Sequence, residues 1–349
     1  MKEAIDKAKD GDTINIAPGE YKGEKNTHNL VIRKNLNFIK YGDGEAIFNG
    51  ENQKRIWFIG GSAENRLYLN IRGLTFINGK SSGDAGVIYF NYVGGSITDC
   101  TFTNCTTSFD SNVFGGGAIY FRKVAATITN CTFTNNAASQ YGGAVNFDIN
   151  GCNVTNCTFI NNTANFGGGA IYLHSKANAT NCTFINNAAK YGGAIYCDYG
   201  SSITYCAFDN NHAESKASVI HNIGFEIKSI ENNWWGSNNP NWDELFYNVQ
   251  SPSVYAVLNV TTNPGEIYTG GKSTITTKFI WNGTSTDATN SLPKINVKLS
   301  SNCDLTVTEG DVGLTSEFSA TTEGSYYVNA ASGSETLGVN VECGCSYSY

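Results

Sequence analysis

The sequence predicts an all-β chain, a right-handed parallel β-helix with a short N-terminal capping helix, followed by an immunoglobulin-like β-sandwich. Three observations carry that reading. A phrase of the form N-C-T-F-x-N-N, small residues, then aromatic-G-G-A-I-Y is fullest at 156–173 and recurs at 130–145 and 181–196. Its cysteine position steps from Leu74 through Cys100, Cys131, Cys157, Cys182 and Cys206 by 26, 31, 26, 25 and 24 residues. After about residue 253 the phrase stops, and seven short alternating segments separated by turn residues suit a sandwich of about a hundred residues.

A period near 25 with two β-rich runs per repeat fits one coil of a β-solenoid. Helical repeats of about 33–47 residues and propeller blades of about 40 are too long. The step of 31 marks an insertion within 106–113.

Taken in order, residues 2–9 have a short amphipathic helix pattern, closed by Gly11. A helix entering the first strand covers the apolar end that a stack of coils leaves open. Coils at 22–97 are irregular. From Leu74 onward, period-2 alternation sorts the side chains. Ile119/Phe121, Val145/Phe147, Ile171/Leu173 and Ile195/Cys197 face inward, as do Cys157 and Phe159. Paired asparagines such as Asn161-Asn162 and the glycine pairs mark two turns. Trp234, Trp235 and Trp242 break the period. They are expected to cap the last coil, with an exposed sugar-binding platform as the alternative. The domains are placed at 1–250 for the solenoid and 251–349 for the sandwich with a short cysteine-containing tail.

Composition narrows function. Only 15% of residues are charged and the net charge is −7, which argues against a nucleic-acid partner. No apolar run is long enough to cross a membrane, so no direct membrane insertion is expected. The opening residues lack the apolar core of a signal peptide; a mature or truncated form of an exported protein is favoured over a cytoplasmic one. Of 11 cysteines, five share one repeat position and read as small buried hydrophobes, although an isolated pair on adjacent coils has disulfide reach. Cys343 and Cys345 are expected to be the most reactive thiols. No zinc spacing or clustered carboxylates appear, so no metal and no cofactor are expected.

The N-C-T-F-x-N-N…Y-G-G-A-I-Y coils resemble the repeats of adhesin-like surface proteins of methanogenic archaea, and more distantly those of bacterial polymorphic outer-membrane proteins. The opening 4–21 is similar to the start of that family's β-helix, and Asn233-Trp234-Trp235-Gly236-Ser237-Asn238 to its end. The last ninety or so residues look like the invasin-type immunoglobulin-like module that often follows. The resemblance implies an extracellular or cell-surface protein mediating attachment, and it carries no catalytic residues over.

Candidate ligand-binding residues come from two outward columns. The first is Tyr89, Tyr120, Asn146, Tyr172, Tyr196 and His221; the second is Asn91, Arg122, Asp148, His174, Asp198 and Ile223. At a coil spacing of about 4.8 Å they make an exposed face of rings edged by charge. Such a face suits surface glycans or proteins of another cell. The residues singled out are Tyr89, Tyr120, Arg122, Asp148, Tyr172, His174, Tyr196 and Asp198. The rival is a polysaccharide-cleaving enzyme using Asp148 and Asp198 with His174 between them, since paired carboxyls about 6.5–9.5 Å apart serve inverting glycosidases. A purely structural spacer is the third possibility.

Overall fold

The computed structural model describes residues 1–108, 114–148, 151–174, 176–198, 200–224 and 227–345. The chain forms two compact units: Met1–Ile230 with Asn241–Ser251, and Glu231–Pro240 with Pro252–Tyr349. Part of the insertion expected at 106–113 lies outside the described residues.

The first unit is a parallel β-helix of about nine turns with about 26 residues per turn. One coil shows the plan. Ile119–Arg122, Ala126–Thr129, Thr132–Thr134 and Ala137–Ala138 each belong to a different sheet, and every strand pairs in parallel with its counterparts on the coils before and after. The four sheets hold nine, eight, eight and six strands respectively.

Strict register converts each repeated residue into a column. Phe76, Phe102, Phe133, Phe159, Phe184 and Phe208 stack with centroids 4.9–5.1 Å apart and planes within 9°. Each fully buried ring contributes about 1.5–3 kcal/mol through burial, and each aromatic pair about 0.5–1.5 kcal/mol more.

The cysteine column is bonded through sulfur. The Cys100, Cys131 and Cys182 amides donate to the Sγ of Cys131, Cys157 and Cys206 at 3.3–3.4 Å. All eleven cysteines are free thiols. Burial pushes Cys105 and Cys152 up to about 12, and thiols held neutral in this way are inert. The tail thiols depart from expectation for related reasons. Cys343 is buried, and Cys345 donates to the Glu323 carboxylate, which raises its pKa and suppresses the reactive thiolate.

The asparagine pairs divide their work. Asn135, Asn161, Asn186 and Asn210 take φ of 49–55°, turning the chain through the left-handed region that asparagine tolerates. Their successors Asn136, Asn162 and Asn187 are fully buried and bond from coil to coil. Asn162 Nδ2 donates to Asn187 Oδ1 and to Phe133 O, both at 3.0 Å, while its Oδ1 accepts from the Asn136 amide at 3.0 Å.

The opening helix is Lys2–Lys7, with Ile5 buried. Lys34 Nζ closes its C-terminal end, donating to the carbonyls of Ile5, Asp6 and Ala8 at 2.6–3.1 Å. Among the described residues no helix is long and apolar enough to cross a membrane.

The second unit contains a four-stranded antiparallel sheet and a five-stranded sheet in which only Glu266–Tyr268 runs parallel to its partner. Six of the expected strands are present; the one expected at Leu305–Thr308 is corrected to the two-residue Asp304–Leu305, and Glu266–Tyr268 and Glu309–Asp311 are additional short ones. The tryptophans require a correction. Trp234 is buried in this second unit, 4.9 Å from Phe279, and Asn233 bridges to Tyr255. Trp235 is also buried, so neither forms an exposed platform. Trp242 alone of the three belongs to the solenoid unit, stacking on Phe246 at 5.5 Å. An apolar ring settles where it finds a partner core, and the aromatic ring of Phe279 supplies one.

Replacing Asn162 by Ala leaves several buried groups unpaired, each worth about 1–3 kcal/mol. The urea midpoint should fall clearly for Asn162→Ala and stay near wild type for Asn161→Gly, which keeps the positive φ. Equal midpoints for the two variants would show that the buried amide ladder is not what holds the coils.

Candidate functional site

The sheet containing Ile119–Arg122 aligns the two predicted columns in register: Tyr89 with Tyr120, Asn146 and then Tyr172, Tyr196 and His221, and Arg122 with Asp148. The expected exposure is overturned. Tyr89, Tyr120 and Tyr196 are 4–5% exposed, Asn146 is fully buried, and Asp198 is 6% exposed.

Tyr89 and Tyr120 pack with Ala85 and Phe58, whereas Tyr172, Tyr196 and His221 are covered by a second row of rings, from the residue before each glycine pair. Tyr141 lies 4.9 Å from Tyr172 and 5.5 Å from Tyr196, Phe166 lies 6.1 Å from Tyr196, and Tyr191 lies 5.1 Å from His221. Glycine permits this closeness, because a Cβ on Gly167 would sit 2.6 Å from the Tyr196 ring. Period-2 alternation sends these tyrosines away from the solenoid core. The aromatic residue just ahead of an earlier coil's glycine pair then lies over Tyr172, Tyr196 and His221.

The tyrosine column consists of two stacks with a gap. On one side Tyr89 and Tyr120 stack at 5.3 Å and 8°. On the other, Tyr196 and His221 stack at 5.1 Å and 4°, and His221 and Tyr247 at 4.5 Å. Between Tyr120 and Tyr172 the rung is Asn146, whose short side chain fills less space than a ring. Here a cleft of about 450 Å³ opens, lined by Phe114, Tyr120, Arg122, Asp148, Tyr172 and His174, with Asp84 and Asn146. Asn146 donates through Nδ2 to the Phe114 carbonyl, and its buried Oδ1 makes no hydrogen bond among the described residues.

Five of the eight predicted residues therefore meet at one cleft: Tyr120, Arg122, Asp148, Tyr172 and His174. Tyr89 and Tyr196 support its walls from within the stacks. Asp198 stands behind the cleft, accepting from the Tyr172 hydroxyl at 2.8 Å and sharing a hydrogen bond with His174 Nδ1 at 2.5 Å. Its Oδ1 is buried and makes no hydrogen bond among the described residues. On the other side the Tyr120 hydroxyl donates to Asp148 Oδ2 at 3.1 Å, and Arg122 Nη1 donates to the Tyr89 hydroxyl at 3.3 Å.

Electrostatics fixes the protonation of the rings. Burial, reinforced by Asp148, holds the Tyr120 phenol far above its ordinary value; burial and Asp198 do the same for Tyr172. Both are hydrogen-bond donors rather than bases. The expected acid–base pair of Asp148 and Asp198 is corrected accordingly: Asp198 is buried and bound to two neighbours, and Asp148 and His174 are the titratable pair at the cleft besides Asp84. Among the described residues no group of three or more His, Cys, Asp or Glu side chains is placed to hold a metal ion.

Sequence reasoning missed Asp84 and Phe114, which lie outside the two columns. It also recorded Asn146 without using it, although a lone amide among aromatic rungs is the visible sign of the gap.

His221 offers a pH test of this packing. Burial, with Lys216 adding to it, lowers its pKa from 6.5 to about 4. The unfolded chain therefore binds the proton first. Stability from neutral His221 is complete above pH 6.5, falls as pH drops toward about 4, and levels off below. His221→Tyr, matching Tyr196 and Tyr247 on adjacent rungs, should flatten this part of the melting temperature–pH curve. An unchanged slope would assign the effect to other groups.

No curated protein and no solved structure matches the chain. The family of right-handed β-helix regions does match, over residues 56–239, more than half of the 349 residues. With its stacked parallel sheets, the largest of nine strands, and this match, the chain belongs to the right-handed β-helix family.

Proposed function

We propose that this is a non-enzymatic, adhesin-like protein of the cell surface that binds glycans of another cell at the Asn146 cleft. The observation that carries the reading is the interruption of the ring stack. A ring-walled opening of about 450 Å³ falls within the range of about 300–1,000 Å³ typical of ligand pockets. The wall offers apolar ring surface from Phe114, which is 53% exposed, beside the polar groups of Arg122, Asp148 and His174. Sugars present the complementary combination, with C–H faces for rings and hydroxyls for charged and amide groups. In this reading the second unit is an immunoglobulin-like spacer that carries the solenoid, as the resemblance to archaeal adhesin-like proteins implies.

Asn146→Tyr restores the aromatic rung and fills the cleft while suiting its neighbours, and Phe114→Ala removes the exposed wall. On a glycan array both should reduce binding by at least about tenfold, corresponding to roughly 1.4 kcal/mol. Wild-type binding by a folded Asn146→Tyr protein would remove the cleft from consideration.

One observation favours a second reading. His174 is oriented by a buried carboxylate at 2.5 Å, an arrangement that also suits a general acid or base in glycan cleavage. Product assays on uronate and neutral polysaccharides, with His174→Ala and Asp148→Asn as controls, discriminate the two. Turnover that disappears in those variants would establish the enzyme; binding without products supports the adhesin.

A further inference from the structure

We infer that a second site, at the first coils of the solenoid, binds an acidic polysaccharide bearing sulfate esters or uronic carboxylates. A cleft of about 950 Å³ there carries five cationic side chains, Lys2, Lys25, Lys54, Arg55 and Lys80, against one carboxylate, Glu24. In a chain of net charge −7 this is a marked segregation of sign, and it favours an anionic partner.

Four of the five cations have no ion-pair partner among the described residues. Lys2 pairs with Asp6 at 2.9 Å, whereas Lys25, Lys54, Arg55 and Lys80 make no ion pair among the described residues. Lys54 and Lys80 stand on adjacent coils, joined by the Lys80 amide donating to the Lys54 carbonyl at 3.2 Å. Solenoid register thus places like charges about 4.8 Å apart at the backbone, a repulsion that a polyanion lying along the stack relieves. Arg55 is half-buried, with Nε donating to Ala85 O at 3.0 Å and Nη2 to Ser81 Oγ at 3.2 Å. Its guanidinium lies 5.4 Å from the centre of the Tyr89 ring. These bonds hold the guanidinium in place, and its remaining N–H groups, on Nη1 and Nη2, suit carboxylate or sulfate oxygens. His28, also in the wall, has a buried Nε2 that makes no hydrogen bond among the described residues; the Glu51 carboxylate approaches it at 3.4 Å.

The rest of the lining selects the class of polyanion. Among the described residues no Phe, Tyr or Trp lines this cleft, so apart from the His28 imidazole nucleic-acid bases have no platform to stack on. Its neutral groups are serine hydroxyls and asparagine and glutamine amides, the complement of a polyhydroxylated chain.

Calorimetry of the full chain with heparin, polygalacturonate, neutral dextran and single-stranded DNA tests the assignment. At low salt, heparin or polygalacturonate should bind, more weakly as salt rises, and dextran should not; the stronger of the two anionic polymers identifies sulfate or carboxylate as the group recognised. The Lys54→Glu/Lys80→Glu variant should lose at least about tenfold in affinity, since a charge-assisted contact contributes roughly this much or more. Lys54→Arg/Lys80→Arg should retain binding. Asn146→Tyr should leave it unchanged, which separates this site from the glycan cleft. No binding at low salt, equal binding of dextran, tighter binding of single-stranded DNA, or an unaffected charge-reversed variant would each overturn the proposal.

Discussion

Coil-to-coil hydrogen bonding in strict parallel register is the constraint on which the solenoid rests. It places each residue about 4.8 Å from its equivalents on the neighbouring coils. A repeated position therefore accepts only side chains that tolerate a copy of themselves at that distance. Phenylalanine meets the requirement by offset stacking, asparagine by amide-to-amide bonding, and cysteine by accepting an amide hydrogen on sulfur. A buried charge column would repel itself. Low charge content and repeated N-C-T-F letters are two expressions of this one rule.

The proposed sites lie where the rule is relaxed. The tyrosine column obeys it away from Asn146, where Tyr89 on Tyr120 and Tyr196 on His221 are buried, stacked rings. Asn146 breaks the column, and the polar groups of adjacent rungs acquire a space to face. The supporting bonds are themselves products of register. Tyr172 reaches Asp198, and Tyr120 reaches Asp148, because each pair lies one coil apart. Lysines at 54 and 80 break the rule differently, by placing like charges on adjacent coils.

Misreading the tyrosine face as exposed has an instructive cause. Alternation correctly divides the strand into two faces, and inward residues such as Ile119 and Phe121 are buried as expected. An outward direction becomes exposure only if nothing else in the coil returns to that face. Here the segment before the glycine pair returns, carrying Tyr141, Phe166 and Tyr191 onto it. The glycines look like simple turn formers in the sequence, yet Gly167 is also what allows a backbone to lie against the Tyr196 ring.

By itself, the sequence determined the period, the inward and outward sets, the identity of each column and the presence of a different fold after the solenoid. Those properties are local or repeat at fixed steps, so a one-dimensional pattern contains them. Only the tertiary structure decided that Tyr89, Tyr120 and Tyr196 are covered and that Asp198 is buried behind His174. It also decided that Trp234 lies against Phe279 and that Lys25, Lys54 and Lys80 share one wall. These outcomes depend on how turns of unequal length carry side chains across neighbouring coils, and no periodicity encodes that. The physical reason is that register fixes which residues stack, whereas the path of the turns fixes which columns meet.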